Sequence, residues 1–167
     1  IFRSVCVITG QRPRERRPRL RGTEFVLHSI RPDRIFGTQS VWRGRTRVAV
    51  SDPARTLVDM LADPGLGGGI RPVADMLVEF RREHGALAPR LIEHATRLGN
   101  GAVFKRLGFL LERDTGPNAE LIEACRANLR KGYIRLDPAL PADHLVSRWG
   151  LWIPAAWRQA PIERSRP

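Results

Sequence analysis

The spacing of apolar residues changes at about position 51. Before it they come in short, β-branched runs interrupted by Gly, Pro and Arg, and such runs favour strands. Ser4-Val5-Cys6-Val7-Ile8-Thr9 predicts a buried strand closed by Gly10. Glu24–Ile30 and Ile35–Trp42 predict two more, the latter with Gly37 at a bulge. Gly44 marks a tight turn, and Arg45–Val50 alternates as a half-buried strand does. Between the first two runs, Gln11–Gly22 carries six arginines with Pro13 and Pro18, which predicts a mobile basic loop. Strands joined by short turns predict a mostly antiparallel sheet.

From residue 51 the spacing becomes helical. In Ser51-Asp52-Pro53-Ala54-Arg55-Thr56-Leu57-Val58-Asp59-Met60-Leu61, Asp52 is a suitable N-cap and Pro53 falls at the first helical position. Ala54, Leu57, Val58 and Leu61 share one face, and Arg55 and Asp59 are spaced to pair along the flank. From residue types alone, Ser51, Asp52, Pro53, Arg55, Thr56 and Asp59 form a structural motif. Asp63-Pro64-Gly65 ends the helix. Further helices are expected at about 71–84, from Leu87 to Leu98 before Gly99, from Val103 to Leu111, and from Leu121 to Leu129, with Pro117 near the start of the last. Gly67-Gly68-Gly69 reads as a flexible join. It follows a helix and lacks the Lys-Ser/Thr ending of a phosphate loop. Tyr133–Leu136 is expected to be extended, and Ser147–Ile153 to be a closing strand with Trp149 and Leu151 on one face.

The predicted class is α+β: an N-terminal, mostly antiparallel sheet packed on a layer of about five helices, with a closing C-terminal strand. Residues 1–157 are expected to form one domain with a basic β-rich part (1–50), a helical part (51–131) and the closing strand (132–157). Residues 158–167 are expected to be a frayed basic tail. An apolar fraction of 42% suits a globular chain. The first residue, Ile1, is not Met, and the chain is expected to be the C-terminal part of a longer protein. No signal peptide and no apolar run of membrane-spanning length is visible, so a cytoplasmic protein without membrane contact is expected. The two cysteines, Cys6 and Cys125, read as small buried thiols rather than a disulfide.

Charge sharpens the picture. The formal net charge is +12, and residues 1–50 hold twelve arginines against three carboxylates. Only Lys105 and Lys131 are lysines. A GC-rich coding sequence explains the choice of Arg over Lys, but not this concentration. A dense basic segment points to polyanions, most often nucleic acid. Guanidinium forks suit phosphate oxygens, and such contacts position a protein without reading sequence. Arg12, Arg14, Arg16, Arg17, Arg19, Arg21, Arg43, Arg45 and Arg47 are therefore assigned to a DNA-backbone-binding patch. A merely solvated loop is the alternative.

Catalytic patterns are weak. None of His28, His84, His94 and His144 lies three or four residues from another, and the cysteines are distant, so neither a metal nor any other cofactor is expected. Asp52 and Asp59 would be separated by about 10 Å along a helix. Glu112 and Asp114 could join a nuclease-like site but read as surface or cap. Phe36 and Trp42 beside Arg43 come nearest to a stacking platform, though such aromatics are more often core. No enzymatic activity is expected.

Taken in order, several strings resemble a family. These are the basic strands, the Ser51–Asp59 string, Gly68-Gly69-Ile70, Leu98-Gly99-Asn100 and Arg106-Leu107-Gly108-Phe109-Leu110-Leu111-Glu112. Lys131-Gly132-Tyr133-Ile134-Arg135-Leu136-Asp137-Pro138 and a strand containing Trp149 complete the series. The set resembles the C-terminal domain of AbiEi-type antitoxins of bacterial type IV toxin–antitoxin systems, over about residues 40–153. The resemblance implies an antitoxin that opposes a nucleotidyltransferase-like toxin, directly or not, and that represses its own operon by binding operator DNA. The winged helix-turn-helix that precedes this domain in such antitoxins has no counterpart in these 167 residues. A nuclease-like domain attached to a regulator, and an interaction domain without DNA contact, are the alternatives.

Overall fold

A computed structural model describes residues 4–114 and 119–158. Pro117 and residues 159–167, which include most of the expected tail, lie outside the described residues. The fold is α+β, with five α-helices and several small sheets among the described residues. The chain forms two compact units, residues 1–52 and 53–167.

The first unit holds two small sheets. In one, β1 (Ser4–Thr9) pairs in parallel with β3 (Thr23–Ser29), and β2 (Arg19–Leu20) pairs antiparallel on the other side of β3. The parallel pairing departs from the antiparallel pattern expected between neighbouring runs. The Gln11–Gly22 segment carries the chain across to the far edge of β3, so β1 and β3 point the same way.

That segment is also less loop-like than its composition suggests. Phe25 and Leu27 donate their amides to Pro18 and Arg16 carbonyls, both at 2.9 Å, which extends the Arg19↔Glu24 register back to residue 16. Pro18 falls at a hydrogen-bonded position of this extension: its carbonyl accepts from the Phe25 amide, but its ring nitrogen can return no bond to β3, so regular pairing is interrupted there. The second sheet is a hairpin of β4 (Thr38–Arg43) and β5 (Thr46–Ser51).

Both hairpins turn on two residues. Gly44 has φ of +62° and Arg45 does not share the positive sign, the pattern of a type II′ turn. Arg21 and Gly22 both have positive φ, +47° and +81°, as a type I′ turn requires. Arg21 is the one non-glycine with positive φ among the described residues. An L-residue with a long side chain is costly there. Arg21→Asn should therefore raise the stability of the chain in denaturant by about 0.5–1 kcal/mol. If Arg21 touches a polyanion, the same change should weaken binding.

Side chains of this unit are mostly exposed. β1 is an edge strand with Val5 45% accessible and Cys6 exposed, so neither the buried strand nor the buried Cys6 thiol expected from the β-branched run is found. Its ladder partner β3 lies beside it in the plane of the sheet and covers neither face.

The second unit carries the main core. Helix α1 (Pro53–Ala62) buries Ala54, Leu57, Val58 and Leu61 on its apolar face. Gly67–Gly69 is an ordered turn rather than a flexible join. A Cβ on Gly67 would lie 2.6 Å from Val73 Cγ2, and Gly68 and Gly69 hold φ of +81° and +106°. Helices α2 (Ile70–His84), α3 (Pro89–Leu98), α4 (Gly101–Asp114) and α5 (Ala119–Ala127) follow. From Val103 to Leu111, α4 is buried on every side, Lys105 and Arg106 included.

Strand β8 (Leu151–Ile153) lies between β6 (Ile134–Arg135) and β7 (His144–Val146) in a third sheet. The closing strand is thus shorter than expected. Ser147–Trp149 is a 3₁₀ turn, and β7 occupies residues for which no strand was expected.

Candidate nucleic-acid interface

All nine arginines assigned to the patch are exposed. Arg17 meets Glu24 at 3.9 Å, with the Arg17 side chain largely in water, and such a surface pair contributes little. Arg47 Nε donates to Ser40 Oγ at 2.8 Å. The other seven make no ion pair among the described residues. Among the described residues no buried carboxylate pairs with the set, so its charge faces solvent.

Strand geometry sorts these side chains. Alternation places Arg17 and Arg19 on one face of the first sheet with Glu24, Val26 and His28. Arg16 falls on the opposite face with Pro18, Leu20, Phe25 and Leu27. Arg21 sits at the tip of the turn. Arg12 and Arg14 precede the paired part. The six arginines of 12–21 therefore do not share one face, although charge density alone grouped them.

The β4–β5 hairpin is the more ordered candidate. Trp42 lies directly opposite Arg47, and both share a face with Ser40. Arg45 is at the tip, and Arg43 occupies the other face. Trp42 is 66% accessible, while Phe36 is buried. The expectation that both aromatics are core holds for Phe36 and fails for Trp42. The partner of Trp42 across the ladder is Arg47, not its sequence neighbour Arg43. Antiparallel register, invisible as local spacing, makes that pair.

The Ser51–Asp59 string has a different part. Ser51 ends β5, α1 begins at Pro53 and Thr56 is half-buried. Arg55 is buried, and its Nε lies 3.0 Å from both Asp59 oxygens. Burial raises the Asp59 pKa, against the pull of Arg55. Asp52 is buried, and its amide donates to Gly37 O at 2.8 Å. The Asp52 bond fixes backbone, and the Arg55–Asp59 pair ties one turn of α1 to the next.

Other strings that carried the family resemblance converge on α4. Arg106 Nε donates to Leu136 O at 2.8 Å, Nη1 to Leu61 O at 2.8 Å and Ala62 O at 3.0 Å, and Nη2 to Arg135 O at 3.0 Å. It thereby satisfies the open carbonyl end of α1 and grips β6. Asp137 accepts from the Ile70 amide at 2.8 Å, at the opening of α2, and from the Ala139 amide at 2.9 Å. Gly108 faces the Trp149 ring, whose Nε1 donates to Glu112 at 2.8 Å. Glu112 also accepts from Arg148 at 2.8 Å. These residues are occupied by architecture.

Compared with known proteins, the chain matches no family model, no curated protein and no solved structure.

Among the described residues, no group of three or more His, Cys, Asp or Glu side chains is placed to hold a metal. Asp114 pairs with Arg113 at 3.2 Å, and burial raises its pKa. Cys125 is buried, and its thiol is pushed up to about 12, which keeps it protonated. No helix among the described residues is long and apolar enough to cross a membrane.

Proposed function

We propose that this chain is the non-enzymatic part of a type IV antitoxin that acts in the cytoplasm. In this reading it counteracts a nucleotidyltransferase-like toxin and lends phosphate contacts to the DNA-binding autorepression of its operon. The observation that supports DNA contact best is the exposed β4–β5 ribbon, with Arg43, Arg45 and Arg47 at one end and Trp42 opposite Arg47. A two-stranded ribbon fits the major groove of duplex DNA, guanidinium groups bind its phosphates, and an exposed indole can stack or pack against bases. Arg17, Arg19 and Arg21 add a second basic edge. The antitoxin part of the reading is supported by the ordered family resemblance of residues 40–153.

Co-expression tests the antitoxin part. A nucleotidyltransferase-like toxin encoded in the adjacent reading frame should arrest growth alone, and growth should return when this chain is expressed with it. Continued arrest at matched expression would refute it.

A further inference from the structure

We propose that the second unit holds an anion site for a phosphate monoester, built by Lys105, Arg130, Lys131 and Arg148 with Tyr133 at its rim. The proposal does not rest on the arginines of residues 1–52.

The site is an open cleft of about 380 Å³, lined by these residues together with the Ser147 and Gly150 region. That is the size range of small-ligand pockets. Four cationic side chains line it, and no carboxylate does among the described residues. Arg148 enters partly neutralised, because its Nε bonds Glu112. Arg130 and Lys131 are exposed and make no ion pair among the described residues.

Lys105 is the decisive group. It is 97% buried, since only 3% of its surface is accessible. Its Nζ donates to Gly132 O, and no carboxylate pairs with it among the described residues. An ammonium has three donors, so two are left for another acceptor. The stem is enclosed while the ammonium opens onto the cleft, where an anion would supply both counter-charge and acceptors. Burial lowers the Lys105 pKa, as an uncompensated ammonium requires.

The backbone keeps this ammonium accessible. Gly132 and Gly150 have φ of +98° and +61°. A Cβ on Gly150 would lie 3.0 Å from Lys105 Nζ and 2.9 Å from Gly132 O. Any side chain there would displace the ammonium or the loop. Tyr133, 65% accessible, offers a flat ring to the organic part of the ester.

The test is amide NMR of the full chain titrated with inorganic phosphate, adenosine monophosphate and a short single strand with or without a 5′-phosphate. Saturable shifts are expected at the amides of Gly132, Tyr133 and Gly150. The double variant Arg130→Ala with Lys131→Ala, both exposed, should weaken binding about tenfold or more. Lys105→Met should weaken it at least as much, with its fold checked by the same spectra. Tighter binding of the mononucleotide than of phosphate would mark a free nucleotide as the source. Tighter binding of the 5′-phosphorylated strand would mark a strand end. Absence of shifts at these amides up to about 10 mM ligand, or equal affinity of the double variant, would overturn the proposal. Failure here leaves the DNA reading of the first unit untouched, because shifts confined to residues 12–47 would report that unit alone.

Discussion

Arg106→Ala should lower the thermal midpoint of the second unit by about 15 °C, corresponding to about 4 kcal/mol. The side chain is buried and makes four hydrogen bonds to carbonyls of α1 and of the 135–136 segment. Removing it strands the Leu61 and Leu136 oxygens away from water and opens a cavity beside those residues. Each buried acceptor left without a donor costs about 1–3 kcal/mol. Arg106→Lys should recover only a small part, because an ammonium cannot reproduce the planar fork that spans both segments. Burial lowers the Arg106 pKa, and the charges of Asp137 and Asp63 oppose that shift. Thermal unfolding followed by circular dichroism reads the difference. A loss under 1 kcal/mol would show that Arg106 does not hold α1 to β6.

Gly108→Ala should be comparably damaging, by about 2–4 kcal/mol, although alanine is the better helix former. A Cβ there would lie 2.2 Å from Trp149 Cζ3 and 2.3 Å from Cη2. Trp149 is fully buried, and Glu112 ties its Nε1, so the ring cannot swing aside without breaking that bond. The gain of about 1 kcal/mol in helix propensity is smaller than this clash. In denaturant melts, Trp149→Leu should be destabilising alone but should make Gly108→Ala nearly harmless in the double variant. That coupling marks direct contact. Additive losses would contradict it.

Local signals carried much of the fold. The Asp52-Pro53 start, the Gly99 stop and the three- and four-residue apolar spacings located all five helices, because they act within one turn. Pairing partners were less legible. Alternation in Ser4–Thr9 fixes which side chains share a face, but not that β3 lies alongside in parallel or that one edge stays open. Short β7, with Asp143 and His144 at its start, has too few residues to show alternation. Lys105 and Arg106 are charged, yet α4 is enclosed all round, which apolar spacing does not reveal. Gly108 within that helix was the available clue, since a glycine in an otherwise good helix often marks a close approach. For the candidate interface, composition identified the arginines but could not assign faces. The pairing of Trp42 with Arg47, and the separation of Arg16 from Arg17 and Arg19, follow from strand register.

The grip of the first unit on a nucleic-acid backbone is tested most directly by the salt dependence of duplex DNA binding. The full chain should be compared with a variant in which Arg17, Arg19, Arg21, Arg43, Arg45 and Arg47 are replaced by Gln. For every phosphate that the variant no longer neutralises, the slope of log K against log salt should fall by about 0.9, so a flattening of about 3 or more is expected, with weaker binding at low salt. A slope unchanged in the variant would contradict the account.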